Sequence, residues 1–201
     1  MSKFLQQQPL ILASGSSIRA KLLDSIGSQF LVIPSNCDEE AIKIRHQSES
    51  ILDLGFTLAK TKALDVSQSY PEYFVIAADQ LCVIDNKVLD KPLNHQTATE
   101  HLQLLSGKTH QQIACICIAK NNEIVWQHHD IATLYVRNLS VKEIDAYLHR
   151  EQPYHSCGAY HYETQGKWLF TEVQGCEDTI LGLPLMPLTN ILITLGAVHL
   201  V

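Results

Sequence analysis

One polar pair, Asp79-Gln80, interrupts an otherwise apolar run in the stretch Val75-Ile-Ala-Ala-Asp79-Gln80-Leu-Cys-Val-Ile-Asp-Asn-Lys-Val-Leu-Asp-Lys91-Pro92. The residues on both sides of Asp79 and Gln80 are the aliphatic and β-branched types that favour strands. Asp85-Asn86 is a turn pair, and the residues after it have the composition of a returning strand. The stretch therefore predicts a strand or hairpin in a sheet, with Lys91 delivered near Asp79.

Asp79 is the first candidate functional residue. A carboxylate beside buried apolar neighbours is costly unless it is paired, protonated or bound to a metal. An active site can supply a paired charge or a metal of this kind, which is why Asp79 is a candidate. The residues alone leave an alternative open, in which Asp79 caps a loop or pairs with an arginine elsewhere in the chain.

Composition limits the class of protein. The 201 residues are enough for one sizeable domain or two small lobes that share a cleft, and we predict a single domain over residues 1–201. A hydrophobic fraction of 46% with 18% charged residues is typical of a folded protein. Because the net charge is −6, no broad basic field is available for a nucleic-acid polymer, whereas a small anionic ligand needs only a local cluster of Lys and Arg.

Cysteine usage and the first residues predict the compartment. The six cysteines contain no C-x-x-C pair, and most have the surroundings of core thiols. Residues 1–9 break into glutamines and a proline, so they lack the apolar core of a signal peptide. No apolar run is long enough to span a bilayer. We therefore expect a reduced, cytoplasmic protein with no membrane partner.

A strand, a loop of small residues and a helix follow one another near the start of the chain. Leu10-Ile-Leu-Ala is a short apolar run, Ser14-Gly-Ser16-Ser17 is the loop, and apolar residues then recur at helical spacing from Ile18 to Gly27. Such a junction offers backbone N–H groups and the positive end of a helix dipole to a phosphate, and Arg19 adds charge. A serine N-cap with solvated bases beside it explains the same residues and stays open.

Acids and lysines follow the next predicted strand, at residues 30–34. This strand leads to Asp38-Glu39-Glu40, and carboxylate oxygens are ligands that Mg²⁺ prefers, although runs of acids are also common in solvated loops. Apolar spacing predicts a helix from about Ser48 to Ser67. Lys62 lies in its C-terminal half, where lysines normally complement the helix dipole.

The rest of the chain predicts a sheet with helices around it. Further elements are expected at residues 94–105, 109–119, 123–136, 140–149, 168–173 and 182–195. Strands alternate with helices early and cluster in the middle, which favours an α/β or α+β sheet with a cleft. The ten histidines form no metal motif in the sequence, and the esterase, P-loop and dinucleotide signatures do not occur.

Short motifs occur in a fixed order over nearly the whole chain. They are Leu12-Ala-Ser14-Gly-Ser16 with Arg19 and Leu22-Leu23, Asp38-Glu39, Leu58-Ala-Lys-Thr-Lys62-Ala, Ala78-Asp79-Gln80, Asp90-Lys91-Pro92, Leu105-Ser-Gly-Lys-Thr-His110, Gly158-Ala-Tyr and Gly182-Leu-Pro-Leu. This ordered set resembles the Maf family of nucleoside triphosphate pyrophosphatases.

The resemblance implies a fold, a reaction and a partner. The fold is α/β, similar to inosine triphosphate pyrophosphatases, with a mixed twisted sheet flanked by helices and two lobes around a deep cleft. The reaction is hydrolysis of a nucleoside triphosphate to the monophosphate and pyrophosphate with a divalent cation, Mg²⁺ or Mn²⁺. Members of the family often pair into a homodimer.

The resemblance also implies residue roles that fit the charges in the sequence. A triphosphate under attack by water needs cations and preorganised N–H donors. The candidates for phosphate binding are Ser14, Ser16, Arg19, Lys62 and Lys91. By analogy, Glu39 and Asp79 bind the metal, and Asp79 is the general base for the attacking water.

Three positions bear on which base is accepted. Gln80 and Glu163 resemble the residues found at these positions in the branch of the family that acts on 7-methyl-GTP. A carboxylate at Glu163 can accept hydrogen bonds from the N1–H and 2-amino groups of guanine. That branch has a tryptophan where this chain has Ile18, and an arginine is also replaced, by Ala20. A tryptophan face would attract a cationic methylated base by about 0.5–2 kcal/mol, and Ile18 offers only apolar contact.

Two alternatives to a 7-methyl-GTP pyrophosphatase remain at this stage. One is a pyrophosphatase with another base preference, such as dTTP or UTP. The other is a nucleotide-binding regulator, related to cell division, with little turnover. The acids Asp79 and Glu39 favour an enzyme, because a protein that only binds a nucleotide would not need them.

Overall fold

The computed structural model describes residues 6–46 and 49–200, and these residues form an α/β fold. The strands are β1 (Leu10–Leu12), β2 (Phe30–Val32), β3 (Phe74–Ile84), β4 (Lys87–Leu89), β5 (Thr109–Lys120), β6 (Glu123–Val136) and β7 (Phe170–Gln174). The helices are α1 (Ser17–Ser25), α2 (Glu39–Arg45), α3 (Ile51–Ser67), α4 (His95–Leu105), α5 (Val141–Glu151), α6 (Glu177–Ile180) and α7 (Leu185–Thr194). A 3₁₀ helix covers Gln165–Leu169.

The strands form one mixed sheet. Its order is β2-β1-β3-β5-β6-β7, with β4 paired to β3. Leu10 of β1 lies opposite Phe30 of β2 and Phe74 of β3, and both pairings are parallel. β4 pairs antiparallel with β3, and β7 pairs antiparallel with β6. Parallel strands joined through helices are the α/β pattern, so the predicted fold class of a mixed sheet with helices is confirmed.

The chain divides into two compact units. The first comprises Met1–Asp79, Ala114–Asp130 and Gly182–Val201, and the second comprises Gln80–Ile113 and Ile131–Leu181. Two units agree with the expectation of two lobes. The deep cleft and the single domain over residues 1–201 stay predictions, and residues 1–5 and 201 at the ends of that range lie outside the described residues.

The first unit packs its core on one face of β1 and β3. The buried residues include Leu10 and Leu12 of β1 with Ile76 and Ala78 of β3, together with apolar residues of α1, β5 and α7. Because side chains alternate across a strand, Asp79 points to the other face of β3 from Ala78. This alternation places the candidate acid on the face that α3 covers with its own buried side chains.

The second unit packs α4 and α5 together around an aromatic centre. Leu102 of α4 and Leu148 of α5 belong to the same buried cluster as Tyr160. The Tyr160 hydroxyl accepts a hydrogen bond of 2.6 Å from Gln112 Nε2 and lies 2.8 Å from His110 Nε2. Burial lowers the pKa of His110 to about 4, so the ring is neutral near pH 7.

Most of the predicted elements are observed, with two differences. The helix expected from about Ser48 begins at Ile51, with Ser50 as its N-cap, and Ser48 lies outside the described residues. Trp168 and Leu169, predicted as the start of a strand, belong to the 3₁₀ helix, and β7 starts at Phe170. Among residues 6–46 and 49–200, no helix combines the length and the apolar character that a membrane crossing requires.

The low pKa of His110 predicts a loss of stability in acid. The pKa is about 6.5 in the unfolded chain and about 4 in the folded one, so the unfolded state takes up the proton first. The stabilisation is present above pH 6.5 and is lost as the pH falls toward 4, by on the order of 3 kcal/mol. Urea unfolding of the parent and of His110→Gln between pH 7 and pH 4.5 measures this slope. The slope should be shallower in the variant, and equal slopes would contradict the assignment.

Candidate active site

A buried ion pair joins β3 to α3. Lys62 Nζ lies 2.6 Å from Asp79 Oδ1 and 3.0 Å from Glu39 Oε1. Asp79 is 6% exposed and Lys62 is 7% exposed, whereas the Glu39 side chain is 41% exposed. The partner of Asp79 is therefore a lysine, and the alternative of pairing with an arginine is wrong.

The sequence of α3 aims Lys62 at the sheet. Leu58 and Val66 lie four residues before and after Lys62, so the three side chains share one face of the helix. Leu58, Ala59 and Val66 are buried, and this face packs inward. Lys62 thus lies on the apolar face of α3, and the expectation that it merely complements the helix dipole does not describe it. The carboxylate of Asp79 offsets the cost of burying the ammonium.

Glu39 is delivered by a short helix. Asp38 is the N-cap of α2, since its Oδ1 accepts a hydrogen bond of 2.9 Å from Ala41 N, and Glu39 is the first helical residue. Acids are stabilised at a helix N-terminus by the helix dipole. The acidic run therefore begins a helix rather than forming a solvated loop. This helix start keeps the Glu39 carboxylate in contact with the Lys62 ammonium.

The serine loop after β1 is organised around one guanidinium. Ser14 Oγ accepts hydrogen bonds from Ser16 N at 3.2 Å and from Arg19 Nη1 at 3.3 Å. Arg19 Nε donates to the carbonyl of Gly182 at 2.8 Å. Ser16 caps α1 by accepting from Arg19 N, so the predicted serine N-cap is observed, but the Arg19 side chain beside it is bonded rather than solvated. A cap and a phosphate site are compatible, because both use the same helix N-terminus.

The donor set of the first unit fits a divalent metal. Glu39 and Asp79 present carboxylate oxygens that both contact one ammonium, so a single cation can be reached by both. Oxygen donors of this kind are those that Mg²⁺ and Mn²⁺ take. Lys62 now provides the positive charge between the two acids. The metal itself stays a prediction.

Thiol chemistry is excluded near Asp79. Burial, with a further contribution from the charge of Asp79, raises the pKa of Cys115 to about 12. Burial also raises the pKa of Cys117, in the same strand, to about 12. Both thiols stay protonated near neutral pH and are inert core residues. A thiolate at either of these two positions is therefore disfavoured.

The structure divides the predicted site residues between the two units. Ser14, Ser16, Ile18, Arg19, Glu39, Lys62 and Asp79 lie in the first unit, and Gln80, Lys91 and Glu163 lie in the second. Lys91 and Glu163 are exposed, and Ile18 is half-buried. Gln80 Nε2 donates to the carbonyls of Thr179 and Ile180, so its amide group anchors the end of α6. The roles of all ten residues stay predictions.

The second unit also contains a cluster that the sequence did not reveal. His95, Asp145 and His149 each place a ligand atom within 4.8 Å of the others. The spacing of Asp145 and His149, four residues apart on α5, was readable as one helix face. His95 is 50 residues before Asp145, and only the packing of α4 on α5 brings it there.

The fold and the site define an α/β protein with a serine-capped helix start and a pair of acids on one buried lysine. The family described as Maf-like protein matches residues 9–195, and the chain belongs to this family. It is 66% identical to a nucleoside triphosphate pyrophosphatase of Legionella pneumophila (strain Paris), over 98% of this chain and 99% of that protein. It is 38% identical to a 7-methyl-GTP pyrophosphatase of Rhizobium meliloti (strain 1021), over 94% of this chain and 97% of that protein.

A solved structure is a more remote match. A HAM1 protein from Coxiella burnetii has a TM-score of 0.41 and 12% identity, and the match covers 66% of this chain and 75% of that one. This similarity carries no argument about function. The family match and the curated relatives together confirm the prediction of a Maf-family hydrolase.

The ion pair predicts an asymmetric response to substitution. Lys62→Met leaves Asp79 buried without its cation and should lower the free energy of unfolding by about 3–5 kcal/mol. Glu39→Gln should cost less than about 1 kcal/mol, because Glu39 is largely exposed. Urea unfolding of both variants, and of Lys62→Met combined with Asp79→Asn, tests the pair. The double variant should recover part of the loss, and equal effects of Lys62→Met and Glu39→Gln would refute the pairing.

Proposed function

We propose that this chain hydrolyses a nucleoside triphosphate to the monophosphate and pyrophosphate, with 7-methyl-GTP or a related modified nucleotide as its substrate. The observation that carries the proposal is the buried Asp79 carboxylate, held by Lys62 beside a second acid. The relatives named nucleoside triphosphate pyrophosphatase support the reaction. The relative named 7-methyl-GTP pyrophosphatase supports the substrate.

We assign phosphate binding to the start of α1 and to cationic side chains. The Ser14 to Ser17 loop lies at the N-terminus of α1, where backbone N–H groups and the helix dipole favour negative charge. Arg19 is fixed by its bonds to Ser14 and Gly182, so its guanidinium needs little reorganisation to receive a phosphate. The exposed Lys91 is the further phosphate ligand that the family resemblance implies.

Asp79 is the general base. It takes a proton from water as the water oxygen bonds to the α-phosphorus, and the bond from that phosphorus to the bridging oxygen breaks to release pyrophosphate. In the free protein Lys62 holds Asp79 at 2.6 Å. A bound triphosphate competes for the same ammonium, and Lys62 can then turn part of its charge to the phosphates. Asp79 is thereby released to accept a hydrogen bond from water.

Glu39 and Asp79 would hold the divalent cation, Mg²⁺ or Mn²⁺. When bound, this cation supplies positive charge that neutralises the phosphate oxygens. Glu39 is the more exposed of the two acids, so it can exchange its contact with Lys62 for a metal with little structural cost. Asp79 keeps its position because it belongs to β3.

Base selection is the finer part of the proposal. Glu163 is exposed in the turn before the 3₁₀ helix, where a carboxylate is free to face a guanine edge. Gln80 already donates its amide to backbone carbonyls, so its influence on the base is through its carbonyl oxygen or through α6. Ile18 lies on the first turn of α1 and supplies apolar contact in place of a ring. The homodimer and the cytoplasmic location remain expectations from the family and the composition.

Substitution of the general base Asp79 distinguishes an enzyme from a nucleotide-binding regulator. Asp79→Asn should reduce pyrophosphate release at least 100-fold while nucleotide binding stays within a few-fold of the parent, because the amide cannot take the proton. Pyrophosphate is measured with a panel of triphosphates including 7-methyl-GTP, with Mg²⁺, with Mn²⁺ or with a chelator. Glu40→Gln, next to Glu39 and exposed, is the matched control and should keep full activity.

Three outcomes of this experiment would contradict the proposal. Equal turnover in Asp79→Asn would refute the general base. No release by the parent from any triphosphate, together with measurable binding, would favour the regulator. Release of orthophosphate instead of pyrophosphate would contradict cleavage at the α-phosphorus.

Base preference is tested by two substitutions of opposite effect. Glu163→Gln should move the ranking of kcat/KM away from guanine bases, since an amide cannot accept both guanine donors. Ile18→Trp should raise kcat/KM for 7-methyl-GTP relative to GTP by about 2- to 30-fold, through cation–π attraction to the methylated base. An unchanged ranking in both variants would refute the assigned positions. A parent that prefers dTTP or UTP would replace the proposed substrate and leave the reaction intact.

A further inference from the structure

We propose that His95, Asp145 and His149 form a second metal site, selective for a borderline divalent transition metal such as Zn²⁺. The three residues lie in the second unit, on the surface between the start of α4 and the last turns of α5. None of them has a role in the proposed hydrolysis. The proposal therefore stands or falls independently of that reaction.

The distances match a metal coordination shell. Asp145 Oδ1 lies 3.4 Å from His95 Nε2 and 3.3 Å from His149 Nδ1. Metal–ligand bonds of about 2.0–2.1 Å in a tetrahedron separate neighbouring ligand atoms by about 3.3–3.4 Å. The two imidazole rings face the same space, with centroids 4.7 Å apart. A cation among the three atoms thus needs only small side-chain movements.

The scaffold under the ligands is ordered by the core. Asp145 and His149 are four residues apart and share one face of α5, whose N-terminus has a complete capping box of Ser140 and Glu143. Asn94 caps α4, so His95 occupies its first helical position. The two helices pack through buried side chains of the second unit, including Leu102 and Leu148. Ligands on two packed helices are better positioned than ligands on loops.

A neighbouring hydroxyl orients the first ligand. His95 Nδ1 lies 3.1 Å from the Tyr154 hydroxyl, while Nε2 is the atom that faces Asp145. Metal-binding histidines almost always use their second nitrogen in such a contact, which fixes the tautomer and the ring orientation. His149 Nδ1 lies 2.9 Å from the Asp145 carbonyl, and a bound metal would take the place of this contact.

The ligand chemistry sets the class of metal. Two imidazole nitrogens with one carboxylate suit Zn²⁺, Ni²⁺, Co²⁺ and Cu²⁺, whereas Mg²⁺ prefers oxygen ligands. The two acids Glu39 and Asp79 are the opposite kind of site. The side chains of His95, Asp145 and His149 are 38%, 58% and 69% exposed, so a metal exchanges directly with solvent. Three protein ligands leave at least one position for water.

A bound metal would couple the beginning of α4 to the end of α5. In the free protein these ends are joined by hydrogen bonds and ion contacts of exposed groups, which are individually weak. A metal that binds only the folded arrangement raises stability in proportion to its concentration above the dissociation constant. The expected phenotype is a zinc-dependent rise in the melting temperature of the whole protein.

Titration of the full chain with Zn²⁺ tests the site. Calorimetry in a chelator-free buffer with excess Mg²⁺, which would occupy the carboxylates of Glu39 and Asp79, should show one Zn²⁺ site per chain in a Cys176→Ser background, which removes the exposed thiol. His149→Ala should weaken that binding at least tenfold and abolish the zinc-dependent rise in melting temperature. Alanine at His149 suits an exposed helix position, so folding is preserved. His155→Ala, an exposed histidine of the same unit, is the matched control and should bind Zn²⁺ like the parent.

A second probe reports on the ligands themselves. Co²⁺ in place of Zn²⁺ should give a visible absorption band that is absent from His149→Ala and from Asp145→Asn. Zn²⁺ binding of equal affinity in His149→Ala and in the background protein would overturn the site. Absence of any Zn²⁺ binding at about 100 μM would overturn it as well. Pyrophosphate release is not part of the readout, so failure here leaves the proposed hydrolase untouched.

Discussion

The carboxylate of Asp79 lies on a buried face of β3. A buried charge without a partner would destabilise the fold. Lys62 supplies this partner from the apolar face of α3, at 2.6 Å. The position of α3 over β3 is therefore fixed by electrostatics as well as by apolar packing. Glu39 and the start of α2 are tied to the same ammonium. One buried positive charge thus arranges three elements of the first unit and keeps two acids close together.

The same pair gives the unit a chemical use. The contact between the Asp79 carboxylate and the Lys62 ammonium is stable without ligand. A bound triphosphate and a bound cation would each offer one of these groups a stronger partner. In the proposed hydrolysis, the triphosphate would compete for Lys62, and the divalent cation would compete for Asp79 and Glu39. Binding then exchanges one set of charge contacts for another rather than exposing unpaired charges. Preorganised charge of this kind is the main source of catalysis in phosphoryl transfer.

The sequence allowed much of this to be predicted, because local patterns determine it. The apolar runs of β1 and β3, the capping box at Ser140 and the acid within β3 follow from composition and spacing alone. Burial of Lys62 did not follow, since a lysine late in a helix is usually solvated and only the face shared with Leu58 marked it. The strand predicted from Trp168 begins two residues later, at Phe170, because a short apolar run does not distinguish the start of a strand from a 3₁₀ turn. His95 meets Asp145 only through helix packing, which no local pattern encodes.

The contact between Arg19 and the carbonyl of Gly182 joins two distant segments of the chain at the proposed phosphate site. Gly182 has a φ of +87°, a conformation that side chains of other residues rarely adopt, so its carbonyl direction depends on glycine. The Arg19 guanidinium, the proposed phosphate ligand, is thus oriented by a backbone group 163 residues away. A graft of the serine loop and α1 into another scaffold would carry the motif without its orientation. The proposed phosphate site therefore depends on both segments, and a chimaera that kept the serine loop but replaced the segment around Gly182 would lose the orientation of Arg19.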